Sequence, residues 1–189
     1  MFAVRFHGRG GQGVVTAAEL LSLAAFADGL EAQAFPSFGS ERMGAPVIAF
    51  CRVDDRRIRL REPIAEPDAV VIQDATLLHH VDVFGGLHEN GYVLINSTRG
   101  IDELGLGELR AHMRAERLIT VPASELARTH LGRPIPNAAL LGALAAATGL
   151  VSTAALCHAI EQRFHGQAAE GNGAAALAAY AMVAEPAHA

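Results

Sequence analysis

Gly8, Gly10 and Gly13 satisfy a G-x-G-x-x-G spacing, with Arg9, Gly11 and Gln12 between them. The strand-like run Phe2–His7 precedes them and VVTAAELL follows, so the spacing predicts a turn that leaves a strand and opens a helix. Such a turn can bind anions. Glycines let a ligand come close to the backbone, and the N–H groups of a helix's first turn have no partner within the helix. Arg9, Gly10, Gly11, Gln12 and Gly13 are therefore candidate contacts for a phosphate or a carbonyl oxygen. Thr16 adds a hydroxyl from the first turn. All 15 basic residues are arginine, so an anion here must be held by guanidinium or backbone N–H groups, without a lysine point charge. Three uses stay open: a dinucleotide site, a site for another anion or for a substrate carried by a neighbouring subunit, and a turn that only caps and packs. A dinucleotide site calls for a carboxylate at the end of the second strand. That strand runs into Phe35-Pro36-Ser37, and Glu31 stands at its beginning.

A second group lies between Pro36 and Pro46, where Ser37, Phe38, Gly39, Glu41 and Arg42 precede Met43 and Gly44. Arg42 suits a phosphate or carboxylate, while Glu41 can pair with Arg42 or with an arginine of another chain. Following a strand, this loop belongs at the same sheet edge as the glycine turn. Arg52, Arg56, Arg57, Arg59 and Arg61 form a basic patch that suits either phosphates or a charged edge against stray strand pairing. Asn96 and Ser97 end a strand on the functional edge, Asn137 opens a helix as its cap, and His7 precedes the glycine turn. The nine histidines are scattered, and Cys51 and Cys157 lie far apart without a C-x-x-C; neither pattern encodes a metal site, a cluster or a disulfide framework.

Periodicity supplies the elements that hold these residues. Strands are expected at 2–7, 31–35, 47–53, 57–61, 69–74, 92–97 and 118–121, with 47–53 and 57–61 forming a hairpin around Asp54-Asp55. In the first of these hairpin strands Val47, Ala49, Cys51 and Val53 share a face. Helices are expected at 14–27, 76–83, 102–115, 123–131, 138–148, 152–164 and 173–184. The helix at 14–27 is apolar nearly all round, so it is expected to be buried on more than one side, with another subunit as one neighbour. Alternating strands and helices give an α/β class: a three-layer α/β/α sandwich with a mixed, mostly parallel sheet and a C-terminal helical segment. One domain over 1–185 is expected, with 186–189 as a frayed tail.

The charge of −5 argues against nucleic acid as a partner. No run of about 18 apolar residues suggests a membrane span, and MFAVRFHGRGG lacks a signal-peptide pattern; the expected compartment is cytoplasmic.

Longer blocks carry more specific information. RFHGRGGQGVVTAAELL (5–21), AQAFPSFGSERMGAPVIAFCRV (32–53), DAVVIQDATLL (68–78) and LGRPIPNAALLGALAAATGLVS (131–152) resemble, in this order, the γ subunits of the pyruvate:ferredoxin and other 2-oxoacid oxidoreductases. The resemblance implies a heteromeric complex of α, β, γ and ferredoxin-like δ subunits. It implies oxidative decarboxylation of a 2-oxoacid to acyl-CoA and CO2, with thiamine diphosphate, Mg²⁺ and [4Fe-4S] clusters, and FAD where an added flavin subunit passes electrons to NAD instead of ferredoxin. Phenylglyoxylate, 2-oxoisovalerate and indolepyruvate enzymes are relatives. The chain shows no GDG followed by paired asparagines and no cysteine cluster, so no cofactor is expected on it alone. Its expected part is to close the active site, help bind coenzyme A and dock subunits. The second arginine common in the family is Met43 here. A free-standing nucleotide-binding enzyme and a purely structural subunit are the alternatives.

Overall fold

The computed structural model describes residues 1–37 and 43–185. Six strands form one sheet: β1 (Phe2–Arg9), β2 (Glu31–Pro36), β3 (Pro46–Asp54), β4 (Ala69–Ile72), β5 (Tyr92–Asn96) and β6 (Leu118–Val121), in the order β2-β3-β1-β4-β5-β6. β1, β4, β5 and β6 run parallel. β3 runs antiparallel to both β1 and β2. The sheet is thus mixed and mostly parallel, and the class is α/β.

The two faces are covered unequally. On one, α1 (Val14–Ala27), α4 (Asn137–Thr148), α5 (Thr153–Arg163) and α6 (Gln167–Ala184) enclose the main core with Val4, Phe6, Val47, Ala49, Cys51 and Val53. The alternation along β3 supplies that face as expected. α1 is wrapped on its second side by α4 and α5 of the same chain, which is why it is apolar nearly all round. α3 (Ala123–Leu131) leads from β6 into α4 and packs on α6. On the other face a 3-10 turn at Ala75–His79, the short α2 (Gly107–His112) and irregular chain cover Val70, Ile72, Val93 and Ile95.

Four expected elements differ. The hairpin of 47–53 with 57–61 does not form, because both edges of β3 are already taken, by β1 over Pro46–Val53 and by β2 over Ala49–Asp54. Residues 57–61 are irregular chain, and Arg56, Arg57, Arg59 and Arg61 stand exposed. Arg52 alone of that patch is buried, on β3, with its guanidinium 5.3 Å from the Phe35 ring centroid. The helices expected at 76–83 and 102–115 shrink to the 3-10 turn and α2, which begins only after Gly105 at φ 75°. α6 begins at Gln167 rather than 173 because its early glycine is a contact, not a break: a Cβ on Gly171 would lie 2.7 Å from the His130 carbonyl oxygen. Gly142 of α4 allows a closer approach still; a Cβ there would fall 2.0 Å from the Ala176 carbonyl oxygen of α6.

Candidate functional site

β1 delivers the glycine turn to the C-terminal edge of the sheet, beside the end of β4. Here the chain order of the strands reverses: β1 connects through α1 to β2 on one side, and β4 lies on the other. Crevices at such switch points are the usual ligand sites of α/β sheets. Gly11 (φ 92°) and Gly13 (φ 72°) take left-handed conformations, which turn the backbone into α1. Gly13 occupies the capping position with no side chain to cap the helix. Among the described residues, the N–H groups of Gly11, Gly13, Val14, Val15 and Thr16 donate to no protein acceptor. The Thr16 side chain is half-buried in the first turn. A hollow of about 310 Å³ lies against Arg9, Gly10, Gly11, Gly13, Val14 and Val47.

Three sets of contacts fix this turn. From the capped 3-10 turn after β4, Asp74 Oδ2 accepts from Gln12 Nε2 (2.9 Å) and lies 3.2 Å from Arg9 Nε, while Thr76 Oγ1 accepts from Arg9 Nη2 (2.8 Å). Gln12 Oε1 in turn accepts the Arg9 N–H at 2.7 Å. Burial raises the Asp74 carboxyl, but hydrogen bonds from Thr76 and Gln12 and the charge of Arg9 outweigh it and hold the group below the usual carboxylate range. From α4, Asn137 Nδ2 donates to the Gly13 carbonyl (3.0 Å). Asn137 therefore does not cap its own helix; it holds the start of another one. From the second loop, Gly10 N donates to Ala45 O (2.9 Å), Gly44 N to Gly10 O (3.1 Å) and Arg9 Nη1 to Gly44 O (3.0 Å).

The candidate residues thus separate into kinds. The side chains of Arg9 and Gln12 are bound internally and act as struts, while the backbone of Gly10, Gly11 and Gly13 faces the hollow. Ser37 follows β2 and is anchored by its N–H to Ile48 O (2.8 Å). Phe38, Gly39, Glu41 and Arg42 lie outside the described residues. Met43, 89 % exposed, overlies the turn, its Sδ 2.8 Å from where a Cβ on Gly11 would stand. The position where a dinucleotide fold keeps its carboxylate-bearing strand is occupied by β3, which enters antiparallel with Pro46 opposite Arg9. Among the described residues, no carboxylate stands there. Asn96 binds Ser124 in both directions, its Nδ2 donating to Oγ (2.8 Å) and its Oδ1 accepting the Ser124 N–H (3.0 Å), and so joins β5 to the start of α3.

Sequence reasoning passed over Asp74, Thr76 and Gln73. An Asp-x-Thr directly after an apolar strand signals a capped turn, and Asp74 indeed caps the 3-10 turn by accepting the Thr76 N–H (3.0 Å). Gln73 carries a weaker signal, a polar residue closing an otherwise apolar run. It is 2 % exposed, and neither end of its amide has a partner among the described residues. His7 lies beneath the turn on the helix-poor face, where its Nε2 accepts from Arg5 Nε (3.0 Å). Burial first, and then the Arg5 charge, push its pKa down to about 4, so it is neutral near pH 7. Arg5 also donates to the carbonyls of Val83 (3.0 Å) and Gly85 (2.6 Å).

Among the described residues there is no group of three or more His, Cys, Asp or Glu side chains that could hold a metal, and no helix long and apolar enough to cross a membrane. Cys51 is buried in β3, and burial raises its thiol pKa far above the ordinary value.

The family model for pyruvate ferredoxin/flavodoxin oxidoreductase matches residues 3–182. The common γ subunit of the pyruvate and ketoisovalerate oxidoreductases of Pyrococcus furiosus is 48% identical over 180 residues, covering 95% of this chain and 96% of that one. The crystal structure of the pyruvate oxidoreductase subunit PORC of Thermotoga maritima is similar, with a TM-score of 0.79 and 34% identity over 95% of this chain and 94% of that one. The 2-oxoglutarate:ferredoxin oxidoreductase of Magnetococcus marinus, solved with 2-oxoglutarate, coenzyme A and succinyl-CoA, shares the fold at a TM-score of 0.74 and 17% identity; the match covers 97% of this chain and 31% of that one.

Proposed function

The chain belongs to the pyruvate ferredoxin/flavodoxin oxidoreductase family as a γ-type subunit, and on that premise we propose that its glycine turn is the seat for coenzyme A at an active site built mainly by sister chains. The observation that carries this reading is the set of unpartnered N–H groups at Gly11, Gly13, Val14, Val15 and Thr16 around the start of α1. They suit the phosphates of a coenzyme, since oriented N–H groups and the helix dipole both favour negative charge. Arg42 is proposed as a further phosphate ligand from the second loop. Ser37, Phe38, Gly39 and Glu41 are proposed to close over the bound coenzyme, with Met43 as an apolar lid contact.

The division of labour follows from what the chain offers. Thiamine diphosphate, Mg²⁺, the clusters and any FAD are proposed to lie on the α, β, δ or flavin chains. Coenzyme A supplies the thiol that accepts the acyl group released from the 2-oxoacid. This chain's residues bind and orient the coenzyme: the backbone of 11–16 holds phosphate, and Arg9, Gln12 and Asn137 keep that backbone in place. The 2-oxoacid and the electron acceptor, ferredoxin or NAD, are selected elsewhere. A γ subunit common to pyruvate and ketoisovalerate enzymes in Pyrococcus furiosus supports that assignment.

The test is Gly11→Val in the assembled complex, because a side chain there meets both the left-handed backbone and Met43. A raised KM for coenzyme A with intact assembly is expected. An unchanged KM would reduce the chain to a structural interface subunit. Oxidation of a 2-oxoacid by the purified chain alone would overturn the reading altogether.

A further inference from the structure

The sulfur of this chain sits in Cys51 and Cys157 and in Met1, Met43, Met113 and Met182. Exposure separates them. Cys51 is buried in β3, and burial raises its thiol pKa far above the ordinary value. Cys157 is partly buried, and its thiol pKa is raised by burial and then by the charge of Glu161. A thiol reacts as its thiolate, so both are poor targets for an oxidant. A thioether has no proton to lose, and access to the sulfur decides its oxidation. Met113 is partly buried against the core of the helix-poor face. Met1 is 59 % and Met182 51 % exposed, whereas Met43 is 89 % exposed. Met43 is the residue whose sulfur is most open to an oxidant.

Met43 is also tied to the glycine turn. Its backbone pairs with Gly10 in a short parallel bridge. The next residue, Gly44, donates its N–H to Gly10 O at 3.1 Å and accepts from Arg9 Nη1 at 3.0 Å. The thioether lies over Gly11, with Sδ 2.8 Å from where a Cβ would stand. Glycine leaves nothing between that sulfur and the backbone. The Gly11 N–H donates to no protein acceptor among the described residues. A thioether is a weak acceptor for it. A sulfoxide is polar, and its oxygen is a strong one.

We propose that Met43 is an oxidation site, and that its sulfoxide oxygen accepts the free N–H of Gly11, capping the glycine turn from within the chain. The oxidant is a peroxide. Its O–O bond breaks, one oxygen bonds to Sδ, and water leaves; the sulfur loses two electrons and the peroxide gains them. Two thiols reverse the step, forming a disulfide and water. The consequence rests on the coenzyme A reading above: a capped Gly11 competes with the coenzyme phosphates, so oxidation lowers affinity for coenzyme A.

The experiment has two arms. In the first, the purified full-length chain is treated with hydrogen peroxide and followed by peptide mass spectrometry and amide exchange. Met43 is expected to gain one oxygen before Met1 and Met182. The Gly11 amide is then expected to exchange about fivefold more slowly, the scale of one hydrogen bond. Methionine sulfoxide reductase with a thiol should restore both. Oxidation of Met1 or Met182 at the same rate overturns the inference, as does unchanged exchange at Gly11; neither result depends on a variant folding. The second arm measures the KM for coenzyme A in the assembled complex. Met43→Gln places an amide oxygen near the position of the sulfoxide oxygen, and Met43→Ala only removes the side chain. A larger rise for Met43→Gln than for Met43→Ala is expected. If Gly11→Val raises the KM and Met43→Gln raises it no more than Met43→Ala, the seat stands, the thioether is only an apolar contact and this inference fails. If the first arm succeeds while all three substitutions leave the KM unchanged, the oxidation site stands and the coenzyme reading fails.

Discussion

Asn137 Nδ2, at the first residue of α4, donates across 3.0 Å to the carbonyl of Gly13, the residue that opens α1. The same carbonyl also accepts from Ala17 N at 3.0 Å. Two helices 124 residues apart in sequence thus share one acceptor at the lip of the candidate site. Asn137→Ala removes the tether but leaves the carbonyl bonded within α1, so the expected loss is about 1 kcal/mol, read by urea denaturation. In the complex, the KM for coenzyme A is expected to rise because the turn is no longer pinned.

Asp74 is the second pin. Asp74→Ala removes the cap of the 3-10 turn and releases Gln12 and Arg9 together. A stability loss of about 1 kcal/mol is expected from the cap. A several-fold rise in the KM for coenzyme A at unchanged kcat is expected from the loosened turn. Steady-state kinetics of the assembled complex check both parameters. A fall in kcat with constant KM would place Asp74 outside the coenzyme seat.

His7 sets an acid limit. Its pKa is pushed from 6.5 to about 4 in the folded chain by burial and by Arg5, against a weaker opposing effect of Asp82. Between these values the unfolded chain binds a proton that the native chain does not, so stability rises with pH across the window. The stability is fully present above about pH 6.5 and is lost as pH falls toward 4, a span of about 3 kcal/mol. Denaturation curves from pH 4 to 7 should show this slope, and His7→Gln, which keeps a neutral acceptor for Arg5, should flatten it.

Two glycines of the helical layer should respond in opposite directions. Gly142→Ala drives a Cβ onto the Ala176 backbone and is expected to cost about 1–3 kcal/mol despite the better helix propensity of alanine. Gly173→Ala meets nothing within 4 Å and is expected to gain about 0.5–1 kcal/mol. Thermal unfolding of the two variants side by side checks the pair.

Local signals were legible where one element's own pattern decides. The apolar run, glycines and helix of 2–27 are found as expected, with α1 at Val14–Ala27, and the alternation along β3 puts Val47 to Val53 in the core. What failed needed knowledge of a distant partner. Residues 57–61 alternate as a strand should, yet the edge they would pair with is occupied by β1 and β2, which no local pattern reveals. Asn137 reads as a helix cap because that is the commonest use of asparagine before a helix, whereas its actual acceptor, Gly13, belongs to the opening of the chain. The glycine turn between strand and helix was readable from spacing alone. The struts that hold it were not, because they come from the 3-10 turn after β4 and from α4.

The unequal cover of the sheet sets where the molecule loosens first. One face is sealed by four packed helices; the other relies on irregular chain, with Arg5 binding the carbonyls of Val83 and Gly85. Sub-global opening favours regions with few packed apolar contacts. Backbone amides of residues 81–87 should therefore exchange with deuterium well before those of α1 and α4, and limited proteolysis should make its first cuts on that side while the glycine turn, anchored from the helical layer, stays intact.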